Sequence, residues 1–331
     1  MVRILCLAVL AAAAQAQVKI VVTGLGAGET GQLRAAAPAG VSIVAAAPAT
    51  LPAEIADADG VIGAVSPQLF AAAKKLRWIQ THSAGVDGMS YPELTRSGVI
   101  LTNAKIVMGP NIADHAFALL LAMTRGTNRA AAGKAAEEWN REQYGGLIEL
   151  TGKTAVIVGA GGIGMQIAQR AKGFGMTVVG VDPKDIPYTP LLDETVKPDR
   201  LDEVLGRADA VFLTAPLTPE SRGMIGPRQF ELMKKGAYFI AVSRGPVYQT
   251  PALVKALDSG HLGGAGLDVT DPEPLPKGHP LWKFGNVVIT PHVAGQSDLM
   301  PKRRLELFKE NIRRFAQGRP LLNVVDKQKG Y

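Results

Sequence analysis

The sequence predicts an α/β protein of two doubly wound parallel sheets, and three observations carry that prediction. The chain is 331 residues long, more than one ordinary hydrophobic core supports. Short β-rich runs alternate with helical segments along most of it, the rhythm that places helices on the faces of a parallel sheet. That rhythm runs twice, before and after a long apolar helix near the middle. Hydrophobic residues make up 47% and charged residues 20% of the chain, so a large buried interior is expected.

The N-terminus stands apart from the fold. Arg3, an apolar run from Ile4 to Ala14 and the ending Ala14-Gln15-Ala16 fit a secretory signal peptide over residues 1–16. The run is too short to span a bilayer. Export to a periplasmic or extracellular space is the expectation, and a cytoplasmic protein with an Ala-rich extension is the alternative. Cys6 is the only cysteine and lies inside this run. An internal disulfide and a cysteine metal cluster are therefore excluded, and no metal is expected.

The first alternating stretch places strands at Lys19–Thr23, Val41–Ala45, Gly60–Ala64, Trp78–His82 and Val99–Asn103. From Asn111 to Thr124 the chain is apolar but holds Asp114 and His115, which reads as a buried helix rather than a membrane span. A second, amphipathic helix is expected from about Arg129 to Gln143. The second stretch places strands at Ala155–Gly159, Thr177–Asp182, Ala210–Ala215, Tyr238–Ser243, Gly264–Val269 and Val287–Thr290. Helices are expected at Gly162–Phe174, Arg228–Lys235 and Pro251–Ser259. A closing helix, Asp298–Gln317, stops at Gly318-Arg319-Pro320.

Net charge is +7, with Lys and Arg spread along the chain. The densest cluster, Lys302-Arg303-Arg304 with Arg313-Arg314, is interrupted by apolar residues and reads as a solvated helix face. No nucleic-acid partner is expected, and no membrane partner once the leader is removed. A modest positive field suits small anionic substrates.

Gly159-Ala160-Gly161-Gly162-Ile163-Gly164 fits G-x-G-x-x-G between the strand Ala155–Gly159 and the helix that follows. Gly159 permits the tight turn, Gly161 lets backbone approach a pyrophosphate, and Gly164 lets helix and strand pack closely. The helix N-terminus offers free N–H groups to phosphates. Asp182, eighteen residues after Gly164, ends the next strand. Its carboxylate suits the ribose hydroxyls of NAD and would repel the 2′-phosphate of NADP, while Lys184 keeps NADP open.

Reducing a 2-keto acid needs a cation for the carboxylate and keto oxygen, an acid for that oxygen, and a carboxylate to support the acid. Arginine, histidine and glutamate suit those roles. Arg244 follows the strand Tyr238–Ser243, Glu273 follows Gly264–Val269, and His292 follows Val287–Thr290. All three stand beyond carboxyl ends of strands, where open α/β sheets bind ligands.

With these residues in place, the chain resembles the D-isomer-specific 2-hydroxyacid dehydrogenase family. The resemblance rests on Gly159–Gly164, Arg244-Gly245, Leu267-Asp268-Val269 with Glu273-Pro274, and Pro291-His292-Val293-Ala294-Gly295, in that order. Ala215-Pro216-Leu217-Thr218 resembles the family's stretch near the cofactor. The resemblance implies that Arg244 binds substrate, His292 is the acid/base and Glu273 its partner. It also implies that Ala215, Pro216, Ser243 and Asp268 line the cofactor, with Ala84, Gly85 and Val86 as the substrate loop.

The implied fold is a Rossmann-type nucleotide domain, 125–296, inserted into a flavodoxin-like substrate domain, 18–124 plus 297–331. A homodimer is implied as well. The family pattern is departed from at Ala241 and Asp114, which bear on substrate preference. A nucleotide-sensing binding module on the same fold is the competing class, and formate or phosphite oxidation is a third reading. His115 is expected to be structural and His261 and His279 loop residues, while His82 is a candidate for substrate contact. Trp78, Trp139 and Trp282 read as packing residues.

Overall fold

The apolar runs marked out by the alternation form parallel strands in a computed structural model that describes residues 18–331. The expected leader, 1–16, lies outside the described residues. β1 (Val18–Val22), β2 (Val41–Ala45), β3 (Gly60–Ile62), β4 (Trp78–Gln80) and β5 (Ile100–Thr102) form one sheet in the order β2-β1-β3-β4-β5. The second sheet contains β6 (Thr154–Val158), β7 (Thr177–Val181), β8 (Glu194–Val196), β9 (Ala210–Leu213), β10 (Tyr238–Ala241), β11 (Gly264–Leu267) and β12 (Val287–Ile289). Its order is β12-β11-β10-β9-β6-β7-β8. Both are doubly wound, with strand order reversing between β1 and β3 and between β6 and β9. Each reversal opens a crevice at the carboxyl edge of its sheet.

Several boundaries differ from expectation for local reasons. Most strands end one or two residues early, so Asp182, Ala215, Ser243 and Asp268 stand just past the hydrogen-bonded ladder, at the crevice. β8 was not expected. Its Glu194-Thr195-Val196 is a short polar edge, paired through Val181↔Val196. The helix expected from Asn111 begins at Lys105 and runs through Pro110. The next helix, Thr127–Ala135, stops short of Gln143, because Glu137 takes a positive φ of 59°.

Packing assigns the helices to the sheets. Ala113, Ala116, Leu119 and Leu120 of the helix Lys105–Thr124 bury against Ala155, Ile157, Phe212 and Ile240 of the seven-stranded sheet. That helix is long and apolar enough to cross a membrane by composition alone, but here it covers a sheet face. The sequence reading groups this helix with the substrate part, and its apolar face packs on the seven-stranded sheet. The closing helix, Met300–Ala316, returns to the first sheet through Leu305, Phe308 and Ile312 against Ile20, Val22 and Trp78.

Among the tryptophans only Trp78 is a buried packing residue, its indole N–H donating to Thr102 Oγ1 at 2.9 Å. Trp139 is 94% exposed and Trp282 half-exposed, which corrects the expectation that both are packed.

Candidate active site

Strand β6 delivers the chain into the glycine turn at the second crevice. Gly159 has φ of 100°, and a side chain there would meet the backbone of Ala215 at 2.5 Å. That close approach joins the turn to the segment Ala215-Pro216 after β9. A Cβ at Gly164 would lie 2.2 Å from the carbonyl oxygen of Gly159, so the helix Gly162–Gly173 can start this close only with glycine there. Above Gly161 there is open space. Gly161 is the cap before the helix start at Gly162-Ile163, and the first N–H groups of a helix have no intrahelical partner.

The residues fit a dinucleotide on two further observations. Asp182 stands past β7, with Oδ1 accepting from the Lys184 N–H at 2.9 Å. Ser243 Oγ, past β10, is buried without a hydrogen-bond partner among the described residues. A buried hydroxyl left unpaired in a protein is commonly completed by a bound group.

Arg244 follows Ser243. Its Nε donates to Asp87 Oδ1 at 3.0 Å and its Nη1 to the Ser243 carbonyl at 2.8 Å. Asp87 belongs to the loop after β4, so the guanidinium reaches the first unit. Gly85 of the same loop lies so close that a Cβ there would fall 1.9 Å from Arg244 Nη2. The loop is braced by Asn103 Nδ2 donating to the Ala84 carbonyl at 2.7 Å and by the buried Val86 side chain. Ala84, Gly85, Val86 and Arg244 thus come together from two sheets.

His292 Nδ1 lies 2.7 Å from Glu273 Oε1, both side chains 41% exposed. An ionised carboxylate only accepts, so Nδ1 carries hydrogen and Nε2 is left for proton exchange. His292 has a φ of 53°, rare for a residue with a side chain. Asp268 holds that turn. It is 2% exposed, and its Oδ1 accepts from Val293 N–H at 2.9 Å and Thr290 Oγ1 at 2.7 Å. Its Oδ2 accepts from Ala294 N–H at 3.0 Å.

Asp268, which the family resemblance implies lies at the cofactor, has both oxygens accepting from the turn that carries His292. His115 completes the brace. Thr290 gives its one proton to Asp268, so His115 Nε2, 2.8 Å away, is the donor to Thr290 Oγ1. Asp268 and His115 in these roles could not be found from motif spacing, because the contacts span 25 and 175 positions.

His82 is turned to structure: its Nε2 bonds the Thr23 carbonyl at 2.9 Å and its ring edge packs on Phe308. Burial pushes its imidazole below the ordinary range, and because a carbonyl only accepts, Nε2 is the donor. His261 and His279 bond neighbouring backbone groups.

A Gly85→Ala variant separates site geometry from stability. The clashing group is the flexible end of Arg244, which can swing aside, so the fold should persist while the guanidinium leaves Asp87. The expected result is an unchanged melting temperature with kcat/KM lowered about 10- to 100-fold, as for displaced positioning groups. Steady-state kinetics beside thermal unfolding checks this.

Comparison with known proteins gives the family. A family model described as D-isomer specific 2-hydroxyacid dehydrogenase, NAD binding domain, matches residues 117–294. The chain is 36% identical over 277 residues to a glyoxylate reductase of Korarchaeum cryptofilum, covering 80% of each. It is 36% identical over 265 residues to a D-3-phosphoglycerate dehydrogenase of Methanocaldococcus jannaschii, covering 79% of this chain and 50% of that one. A crystal structure of a D-isomer specific 2-hydroxyacid dehydrogenase from Xanthobacter autotrophicus, in complex with NADPH and MES, superposes with a TM-score of 0.82 at 27% identity. It covers 96% of this chain and 100% of its own. With its two parallel-sheet units, its glycine turn and this match, the chain belongs to the D-isomer specific 2-hydroxyacid dehydrogenase family and is a nicotinamide-dependent oxidoreductase.

Proposed function

We propose that this protein reduces a small 2-keto acid to the D-2-hydroxy acid with NADH, using Arg244, His292 and Glu273. The observation that carries the proposal is the paired geometry at the two crevices: an imidazole 2.7 Å from a carboxylate, and a guanidinium reaching the loop of the other unit. When bound, the nicotinamide supplies or accepts hydride.

The chain's own residues do the rest. Arg244 binds the substrate carboxylate and polarises the keto oxygen, helped by the backbone N–H groups of Gly85 and Val86. His292 gives the Nε2 proton to the developing alkoxide, and Glu273 stabilises the imidazolium through Nδ1. Asp268 and His115 hold the acid's turn. Gly161, Gly162 and Ile163 present N–H groups to the pyrophosphate, and Ala215 and Pro216 flank it.

A sensing module without turnover would have no need of the His292–Glu273 pair. A panel of 2-keto acids with NADH tests the proposal, glyoxylate first because the archaeal relative carries that name. Cofactor binding with no oxidation of NADH on any member would refute it.

NADH is proposed over NADPH because Asp182 follows β7 in the sheet that carries the glycine turn, a position whose carboxylate suits ribose hydroxyls and would repel a 2′-phosphate. Asp182→Ser should therefore raise kcat/KM for NADPH at least about 10-fold and lower it for NADH, since removing a like charge is worth a few kcal/mol at such a site. The two cofactors measured with one keto acid check this.

Two further proposals follow from sequence and surface. Export rests on the segment from Arg3 to Ala16, and N-terminal sequencing of the mature protein tests it. A homodimer rests on Trp139, which is 94% exposed beyond the helix Thr127–Ala135; sedimentation equilibrium tests it.

A further inference from the structure

The basic cluster on the helix Met300–Ala316 departs from the solvated face expected for it. Arg304 pairs with Glu29 at 2.9 Å. Arg303 turns to the second unit, where its Nη2 donates to Asn111 Oδ1 at 3.0 Å. Its Nε is buried without a partner among the described residues. Asn111 is 8% exposed and lies in the helix Lys105–Thr124, beside Ile112, Ala113 and Ala116. A buried amide in apolar company costs free energy unless both ends are bonded. Both are bonded here, since Asn111 Nδ2 donates to the Ala294 carbonyl at 2.8 Å.

Ala294 is therefore held at both polar groups, its N–H by Asp268 and its carbonyl by Asn111. It stands two residues from His292, whose left-handed backbone persists only while its surroundings hold it. The two ends of the Asn111 contact belong to different bodies. Arg303 is carried by a helix whose Leu305, Phe308 and Ile312 lie in the core of the five-stranded sheet. Ala294 packs in the core of the seven-stranded one.

We propose that Asn111 and Arg303 are positioning residues for the reaction. Arg303 orients the Asn111 amide, and the amide fixes the turn that presents His292. Alignment of the acid then depends on where the first unit sits. The inference rests on the reading of His292 as the acid.

The test is a kinetic series on the full-length protein with NADH and the best keto acid, with NADH affinity followed by fluorescence titration. Asn111→Ala should lower kcat about 10- to 30-fold, the scale of small misplacements of a reacting group, with NADH affinity within about twofold of wild type. Arg303→Ala should lower kcat in the same sense by less, and Arg303→Lys, which keeps a cationic donor, should recover most of that loss. The double variant Asn111→Ala, Arg303→Ala should be no slower than Asn111→Ala alone, because contacts in one chain of interactions are not additive.

Wild-type kcat in an Asn111→Ala protein that binds NADH would overturn the proposal, as would losses that multiply in the double variant. If Asn111→Ala does not fold, the Arg303 pair decides: no loss in Arg303→Ala, or no recovery in Arg303→Lys, overturns it. His292→Ala is the control. Wild-type turnover there would remove the acid reading and the relay with it, whereas an inactive His292→Ala beside a wild-type Asn111→Ala would remove the relay alone.

Discussion

His292→Ala is expected to lower kcat for keto-acid reduction by about 10²- to 10⁴-fold, the range for loss of a positioned general acid. The alkoxide formed by hydride addition would have to take its proton from water. NADH affinity should be nearly unchanged, because the polar partners of the His292 side chain and turn are Glu273 and Asp268 rather than the residues proposed to hold the pyrophosphate. The pH profile should change with it. Reduction in the wild type should fall as pH rises, since the imidazole must begin protonated, and that limb should vanish in the variant. Glu273→Gln should slow reduction less, because the imidazole remains but its cation loses a carboxylate partner at 2.7 Å. Full pH profiles of kcat for the three proteins check both statements.

Arg244→Ala is expected to lower kcat/KM by about 10²- to 10³-fold, comparable to removing one donor from an oxyanion site. Two losses combine there: the carboxylate loses its anchor and the keto oxygen loses a positive neighbour. Arg244→Lys should recover only part, because an ammonium is a point charge and cannot form the planar two-bond contact. The local structure predicts a difference between the variants as well. Arg244 also ties the second unit to Asp87 at 3.0 Å, so removal frees the substrate loop and should raise KM more than lysine does. Saturation curves for the keto acid at fixed NADH separate KM from kcat.

Much of this was legible in sequence because the informative contacts are local. The glycine turn is six consecutive residues, and its requirements, φ of 100° at Gly159 and no room for a Cβ at Gly164, are properties of glycine itself. Arg244, Glu273 and His292 follow strand ends, and a parallel sheet brings all its carboxyl ends to one edge. What stayed hidden depends on partners far along the chain. The role of Asp268 is defined by N–H groups 25 and 26 positions away. Asn111 marks only the expected start of an apolar helix in the sequence, and its partner carbonyl is 183 positions distant. The helix Lys105–Thr124 gave no sign of which sheet it covers, since an apolar face suits either. β8 was missed because a polar three-residue edge has no hydrophobic period to find.

In the proposed reaction Arg244 and His292 close on one keto acid beside the dinucleotide. A crystal structure with NADH and oxamate, an unreactive analogue of a 2-keto acid, would show whether they do. The predicted result has Arg244 and the Gly85–Val86 backbone on the oxamate carboxylate, with His292 Nε2 at about 3 Å from the carbonyl oxygen. Oxamate bound elsewhere, or His292 turned from it with Glu273 still attached, would contradict the account.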